Sequence, residues 1–489
     1  MKQNLQNRVF IPARELLFPR VLRLQSVPSL VFEEKIRQHL KRKHFFRCEE
    51  VDKNVTYTAC SISVILSKSC FSLRERMSRE MLVSFWLLLT FLSGSLVARR
   101  SFNFPYDPDF GVDVPHLVNS RGFKLEVHYV TTPDGYILAL HRLVNPLVRK
   151  VGRPVMLQHG LVCTSREFLI NSPKASPYES PKIVGNNLGF ELSKRGYDVW
   201  LPNSRGNTYS TNHSTLDPVT DAQFWDFSFD EMIKYDEPTA IDYVLNTTGY
   251  SNLAFIGHSQ GSMIMFGLLA TNAKYNDLVK PFIALAPVAY VAQAHTPLKY
   301  ISYIPLAVHL ITRYGPGPFL RSNRFMKTIA DKICSSRVKS LCSNAVFMAN
   351  GFNEEQMNMT RLGVYASGFP GGTSSRNILH FGQGVSTGKF QKFNFGPEKN
   401  CRVYGSRDPP EYDIDKITSH DIVLFTSKND WLSSTPDIEL LRKKLKSKVV
   451  ADLVVPTPSW NHLDFIMGIK SGEYVNKPIL RVLGKYARL

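Results

Sequence analysis

Two runs, Leu125–Val130 and Tyr136–Leu143, alternate apolar and polar positions on either side of Thr132-Pro133-Asp134-Gly135. Period-two alternation around a Pro-Asp-Gly turn predicts an antiparallel hairpin, because alternate side chains of a strand face opposite ways and the turn residues reverse the chain. Further on, the pattern changes to short, continuous apolar runs at Val155–Gln158, Asp198–Leu201, Leu253–Ile256 and Phe282–Leu285, separated by helical periodicity at Asn187–Arg195 and Glu237–Leu245. Strands apolar on both faces must be covered on both faces, so this alternation predicts an α/β fold with a mostly parallel central sheet between helices. From about Pro287 to Pro410 the alternation gives way to Pro- and Gly-rich loops, short helical patterns and many aromatics, then resumes at Ile422–Thr426, Pro436–Leu445 and Ala451–Val455. The expected organisation is a core of residues 99–286 and 411–489 interrupted by a mainly helical cap or lid, 287–410, with the chemistry where sheet and cap meet.

Before the core lies Met81–Ala98, an apolar stretch preceded by Arg74, Arg76 and Arg79 and ending in small residues. That is the pattern of a signal peptide, and its apolar heart, Val83–Leu92, is shorter than the roughly 20 residues that span a bilayer. A retained signal anchor is the competing reading. Signal peptides open chains, so residues 1–80 are expected to be an upstream extension, disordered or an artefact of the gene model, with Met77 or Met81 as the natural initiator.

Composition changes this picture little, with 43% hydrophobic and 21% charged residues being ordinary for a globular protein. The formal charge of +19 raises nucleic acid or an anionic surface as partner, but residues 1–80 hold 16 Lys/Arg against 8 Asp/Glu. The basic run Lys41-Arg42-Lys43-His44 has no binding motif beside it, and no nucleic-acid partner is expected. Of seven cysteines, Cys163, Cys334, Cys342 and Cys401 follow the apolar segment. Cys334 and Cys342 are close enough in sequence for an oxidising compartment to join them, no zinc spacing is present, and Asn212, Asn246 and Asn358 stand in glycosylation sequons, in keeping with export.

The chemistry is concentrated in a few short segments. Leu253–Ile256 runs into Gly257-His258-Ser259-Gln260-Gly261 and then into a helical pattern. A G-x-S-x-G between strand and helix is a nucleophile elbow: Gly257 and Gly261 permit the sharp turn, Ser259 is lifted from the sheet, and the helix N-terminus favours an oxyanion. A serine hydroxyl needs a base, and the base needs a carboxylate to orient it. Asp430 follows Ile422–Thr426 and His462 follows Ala451–Val455, both at C-terminal strand ends and in the order this elbow requires. The rival acids Asp421, Asp437 and Asp452, and the rival bases His159, His258 and His420, stand before strands, inside elements, or within the elbow and oxyanion segments. Oxyanion donors are expected at the amides of Gln260 and of Leu161, in His159-Gly160-Leu161 after the third strand.

Several segments are more particular than the elbow: Asn203-Ser-Arg-Gly-Asn-Thr-Tyr209, the run Phe224-Trp-Asp-Phe-Ser-Phe-Asp-Glu-Met-Ile-Lys-Tyr-Asp236, Leu285-Ala-Pro-Val288 and Asn461-His-Leu-Asp-Phe465. With His159-Gly160-Leu161 and the elbow, their joint occurrence in order between Pro105 and Gly468 resembles the acid lipase family, the gastric and lysosomal acid lipases and their relatives. The resemblance implies an α/β-hydrolase fold, hydrolysis of triglycerides or sterol esters at a lipid–water interface, a cap and lid over a deep apolar site, no cofactor, and a secreted or lysosomal location. No obligate protein partner is inferred. Within the cap, Cys334 and Cys342 are similar to the family's disulfide pair, with a loop one residue shorter. Where relatives can carry a third nearby cysteine, this chain has Asn350, and Cys163 has no role the resemblance implies. The aromatic stretch Tyr300–Ile311 is expected to line the acyl site or touch lipid, or simply to pack on the core. The competing activities are a carboxylesterase acting on small soluble esters, which uses the same groups, and a non-catalytic lipid carrier, which predicts a damaged triad.

Overall fold

The computed structural model describes residues 107–296, 315–320 and 339–486. Residues 1–80, the apolar segment 81–98, the stretch Tyr300–Ile311 and Cys334 lie outside the described residues. The first element is the hairpin β1 (Lys124–Thr131) and β2 (Tyr136–Val144), antiparallel with Leu125 opposite Leu143. Its turn closes where expected, with Thr132 N donating to Tyr136 O at 2.8 Å and Gly135 N to Thr132 O at 2.9 Å.

Next come β3 (Pro154–Gln158), β4 (Asp198–Pro202), the short β5 (Asn212–His213), β6 (Leu253–His258), β7 (Val279–Leu285), β10 (Ile422–Thr426) and β11 (Val449–Val454). In space the main path runs β1-β2-β4-β3-β6-β7-β10-β11, and every pair from β4 onward is parallel. Along β6, Leu253 and Phe255 enter one apolar cluster while Ala254 and Ile256 enter the other; along β10, Ile422 and Leu424 alternate with Val423 and Phe425 in the same way. Both faces are therefore covered, which is why these strands read as unbroken apolar runs. The edge strand β11 instead alternates between half-buried and exposed positions, as a strand with a wet side should. The chain leaves β3 toward β4 on one side and later returns to β6 on the other, and this reversal is where parallel α/β sheets leave a crevice at their strand ends.

Two differences from the sequence reading are local. The helix expected over Glu237–Leu245 extends to Thr248 and is preceded by a helical turn, Phe229–Glu231, and a wide turn, Met232–Asp236, that run into it. Ser228 caps this start: its hydroxyl accepts from Asp230 N at 3.3 Å while Glu231 Oε2 accepts from Ser228 N at 2.7 Å, a reciprocal arrangement that fixes where a helix begins. Within 287–410 the described residues form the helices Lys339–Asn350, Leu362–Gly368, Ser375–Thr387 and Pro397–Tyr404, and a two-residue antiparallel pair, β8 (Pro318–Phe319) with β9 (Thr373–Ser374).

Candidate active site

Strand β6 ends at His258 and the helix Gln260–Thr271 begins at Gln260, so Ser259 alone makes the reversal. Its φ of 53° and ψ of −118° are a conformation that costs a residue with a side chain of order 1–3 kcal/mol. The surroundings hold it there. Ser259 N donates to Leu285 O at 3.0 Å, and the Ser259 carbonyl accepts from Ser262 N at 2.9 Å and Ser262 Oγ at 2.6 Å. A Cβ at Gly257 would lie 2.7 Å from the backbone of Gly261, and one at Gly261 would collide with the Gln158 carbonyl. Both flanking positions are thus closed to any side chain. The helix beyond is buried from Gln260 to Ala270, as expected of one that is apolar all round.

Asp430 and His462 stand on the loops after β10 and β11. His462 Nδ1 lies 2.9 Å from each carboxylate oxygen of Asp430, and Asp430 Oδ1 also accepts from Leu432 N at 2.9 Å and Ser433 N at 2.7 Å. An acceptor-only carboxylate at Nδ1 keeps a proton on that nitrogen and leaves the Nε2 lone pair free in the neutral ring. Nε2 is buried and has no hydrogen-bond partner among the described residues, and His462 and Ser259 line one cavity. The rival acids are engaged elsewhere: Asp421 with the Tyr486 hydroxyl, Asp437 with Ser434 Oγ, and Asp452 with Arg442. His420 is exposed.

Gly160 and Leu161 line the same cavity, and the loop bearing them is braced from behind by the Asn203–Tyr209 segment. Ser204 N and Asn207 Nδ2 both approach His159 Nε2 at 3.1 Å, while Asn203 Oδ1 accepts from Ser165 N at 3.0 Å. Arg205, fully buried, binds Asp236 through Nε at 2.7 Å and Asp134 through Nη1 at 2.6 Å, tying the hairpin turn and the helix start to this brace. On the other side, Gly371 N donates to Val162 O at 2.6 Å. Gln260 opens its helix, so its amide is among the N-terminal donors that no helical carbonyl satisfies, and its side chain donates to Asn377 Oδ1 at 3.2 Å.

The cavity has a volume of about 330 Å³ and apolar walls that include Val288, Val291, Leu362, Phe381 and Met467. Cys163 also lines it, as a free thiol whose burial pushes its pKa well above the ordinary range.

Two parts of the site gave no signal in the sequence. Asn350–Asn353, from the stretch between β7 and β10, lies between the loops that bear Asp430 and His462. The Asn350 carbonyl accepts from His462 N at 3.2 Å and from Trp431 N at 3.4 Å, and Asn461 Nδ2 donates to Gly351 O at 2.9 Å. Asn353 Nδ2 and Asn461 N both donate to Asp464 Oδ2, at 2.6 and 2.7 Å, which accounts for the first and fourth residues of Asn461-His-Leu-Asp464. The second is the pair Glu167 and His258, joined side chain to side chain beneath Ser259. Burial opposes charge on both, but their mutual attraction outweighs it, holding Glu167 below and His258 above their ordinary pKa values. Away from the site, Asn212 and Asn246 are exposed, Asn358 is half-buried with Oδ1 accepting from Thr360, and Cys342 is in a disulfide.

Two family models match the chain: a partial alpha/beta-hydrolase lipase region over residues 114–172 and the alpha/beta hydrolase fold over residues 153–309. Lysosomal acid lipase/cholesteryl ester hydrolase of Homo sapiens is 36% identical over 387 residues, covering 78% of this chain and 92% of that one. Gastric triacylglycerol lipase of Rattus norvegicus is 35% identical over 78% of this chain and 94% of its own. Lipase lipl-5 of Caenorhabditis elegans is 36% identical over 77% and 93%. At this identity and over this length, the chain belongs to the acid lipase family of α/β-hydrolases.

Proposed function

We propose that this protein hydrolyses the carboxylic esters of neutral lipids, triglycerides or sterol esters, with Ser259 as nucleophile, His462 as general base and Asp430 as its orienting acid. The observation that carries the reading is the His462 ring, held by Asp430 on one edge and bare on the other, in an apolar cavity that it shares with Ser259. Ser259 Oγ attacks the ester carbonyl as His462 Nε2 takes its proton, and the Leu161 and Gln260 amides receive the oxyanion. His462 returns the proton to the leaving alcohol, and an acyl-enzyme remains on Ser259. A water, deprotonated by His462, then releases the fatty acid.

Residues 287–410 act in this reading as the cap. Apolar side chains from it, among them Leu362 and Phe381, wall the cavity, which suits an acyl chain rather than a polar ester. The part around Ser374–Asn377 is pinned to the core through Gln260 and through Ser374, so it serves as fixed wall. A secretory route to the lysosome or the outside fits the disulfide at Cys342 and the exposed sequons at Asn212 and Asn246.

The experiment compares initial rates on emulsified long-chain triglyceride, a sterol ester and a soluble short-chain ester for the wild-type protein and Ser259→Ala. Turnover of the long-chain lipids that Ser259→Ala abolishes supports the proposal. Turnover confined to the short ester makes the protein a soluble esterase, and equal rates in the variant overturn the triad.

A further inference from the structure

Glu167 and His258 are buried ionisable groups beside the proposed triad that the reaction above leaves without a role. Glu167 sits in the short helical turn Ser165–Phe168 behind the oxyanion loop, and His258 is the last residue of β6. Their side chains are 2% and 1% exposed. Glu167 Oε1 is hydrogen-bonded to His258 Nδ1, and Glu167 Oε2 accepts from Gly160 N at 2.8 Å. On the far edge of the His258 ring, Nε2 lies 3.1 Å from the carbonyl oxygen of His462. With Glu167 ionised, as its lowered pKa favours, a carboxylate and a carbonyl can only accept, so both ring nitrogens donate and the ring is an imidazolium.

We infer that Glu167 and His258 are positioning residues: one buried carboxylate–imidazolium pair holds the Gly160 amide, beside the oxyanion donor Leu161, and the backbone carbonyl of the base His462. The inference rests on the roles proposed above for Ser259 and His462. Charge-assisted hydrogen bonds in a dry interior are short and stiff, and this chain of them runs Gly160, Glu167, His258, His462 without a gap. The base is thereby held at both ends, its ring by Asp430 and its backbone by His258, while the carboxylate that charges His258 also sets the peptide preceding Leu161. The two histidine rings pack with centroids 5.1 Å apart, so a shift of His258 moves His462 directly. Oxyanion loop and base loop are a single mechanical unit in this arrangement, although 302 positions separate Gly160 from His462 in the chain.

The test has two readouts on the full chain. In protein carrying 15N-labelled histidine, with the His258 signals assigned by difference from His258→Gln, both ring N–H protons of His258 are expected to persist above the ordinary imidazole midpoint of about 6.5. Loss of one ring proton near or below that midpoint would overturn the inference, and this measurement needs no activity. The second readout is the rate constant for phosphonylation of Ser259 by an alkyl fluorophosphonate in Glu167→Gln, His258→Gln and the double variant. Each single change is expected to slow it about a hundredfold, with the double change no slower than the worse single one. A folded Glu167→Gln that reacts at the wild-type rate would also overturn it. Failure of the wild-type protein to react at all would instead refute the roles of Ser259 and His462, leaving the proton count on His258 to decide the state of the pair.

Discussion

The amide of His462 donates to the carbonyl of Asn350 at 3.2 Å, so the proposed general base hangs from the end of the helix Lys339–Asn350, within the stretch proposed as the cap. Gly351, next in the chain, has φ 112° and sits where a Cβ would collide with the Asn429 carbonyl, beside the acid loop. Gly351→Ala is therefore expected to cost about 1–3 kcal/mol of stability. It should also slow hydrolysis about a hundredfold by pushing Asp430 and His462 apart. Thermal denaturation and kcat on one preparation check this; an unchanged kcat would show that the inserted segment does not set the base.

Asp430→Asn keeps the shape of the acid but lets its amide face Nδ1, which favours the wrong ring tautomer. The expected result is a fall in kcat of about ten-thousandfold with KM little altered. A loss of less than about tenfold would mean another acid orients His462.

Two buried carboxyls tilt stability toward acid. Burial is the main cause in each, raising Glu237 to about 8 with help from Asp236, and Asp464 to about 7 with help from Asp430. The folded state holds protons that the unfolded state has released, so their contribution is complete below their unfolded pKa values of about 4 and is lost as pH rises through 7 and 8. The slope is about 1.4 kcal/mol per pH unit for each group. His258, also raised, acts in the same direction above about 6.5, and the lowered Glu167 matters only below about 4.5. Burial holds His141, His159 and His380 below the ordinary imidazole range, and these act in the opposite direction up to about 6.5. Melting temperature is therefore expected to fall only between about pH 7 and about pH 8, and Asp464→Asn with Glu237→Gln to flatten the fall. A wild-type curve that rises over this range would contradict the account.

The free cysteines Cys163 and Cys401 differ in reach. Cys163 is buried in the cavity with its thiol held protonated, and Cys401 is exposed on the helix Pro397–Tyr404. Alkylation of the folded protein with iodoacetamide, read by peptide mass, is expected to modify Cys401 and spare Cys163. Equal labelling would mean that the cavity wall opens readily.

The segments proposed as catalytic were legible because the strands place them: Gly257–Gly261 takes over directly at the end of the apolar run of β6, and Asp430 and His462 stand on the loops that follow β10 and β11. Glu167 left no such mark. It follows no strand, and its partner His258 lies 91 positions away, a pairing that only the sheet creates. Asn350 and Gly351 were hidden for a related reason. Their value comes from contact with loops about 80 and 110 positions onward, and nothing in the local pattern of a helix end tells what its last carbonyl will meet. The wide turn at Met232–Asp236 was not read because a single turn of this rare kind is too short to set up a repeating pattern of its own.

The central claim is that Ser259 is the nucleophile. The most direct measurement treats the protein with an alkyl fluorophosphonate, digests it and weighs the peptide that contains Gly257–Gly261, beside the rate of ester hydrolysis. Displacement of fluoride should leave the phosphonyl group on Ser259 oxygen and hydrolysis should stop in proportion to labelling. Full loss of hydrolysis with that peptide unmodified would contradict the account.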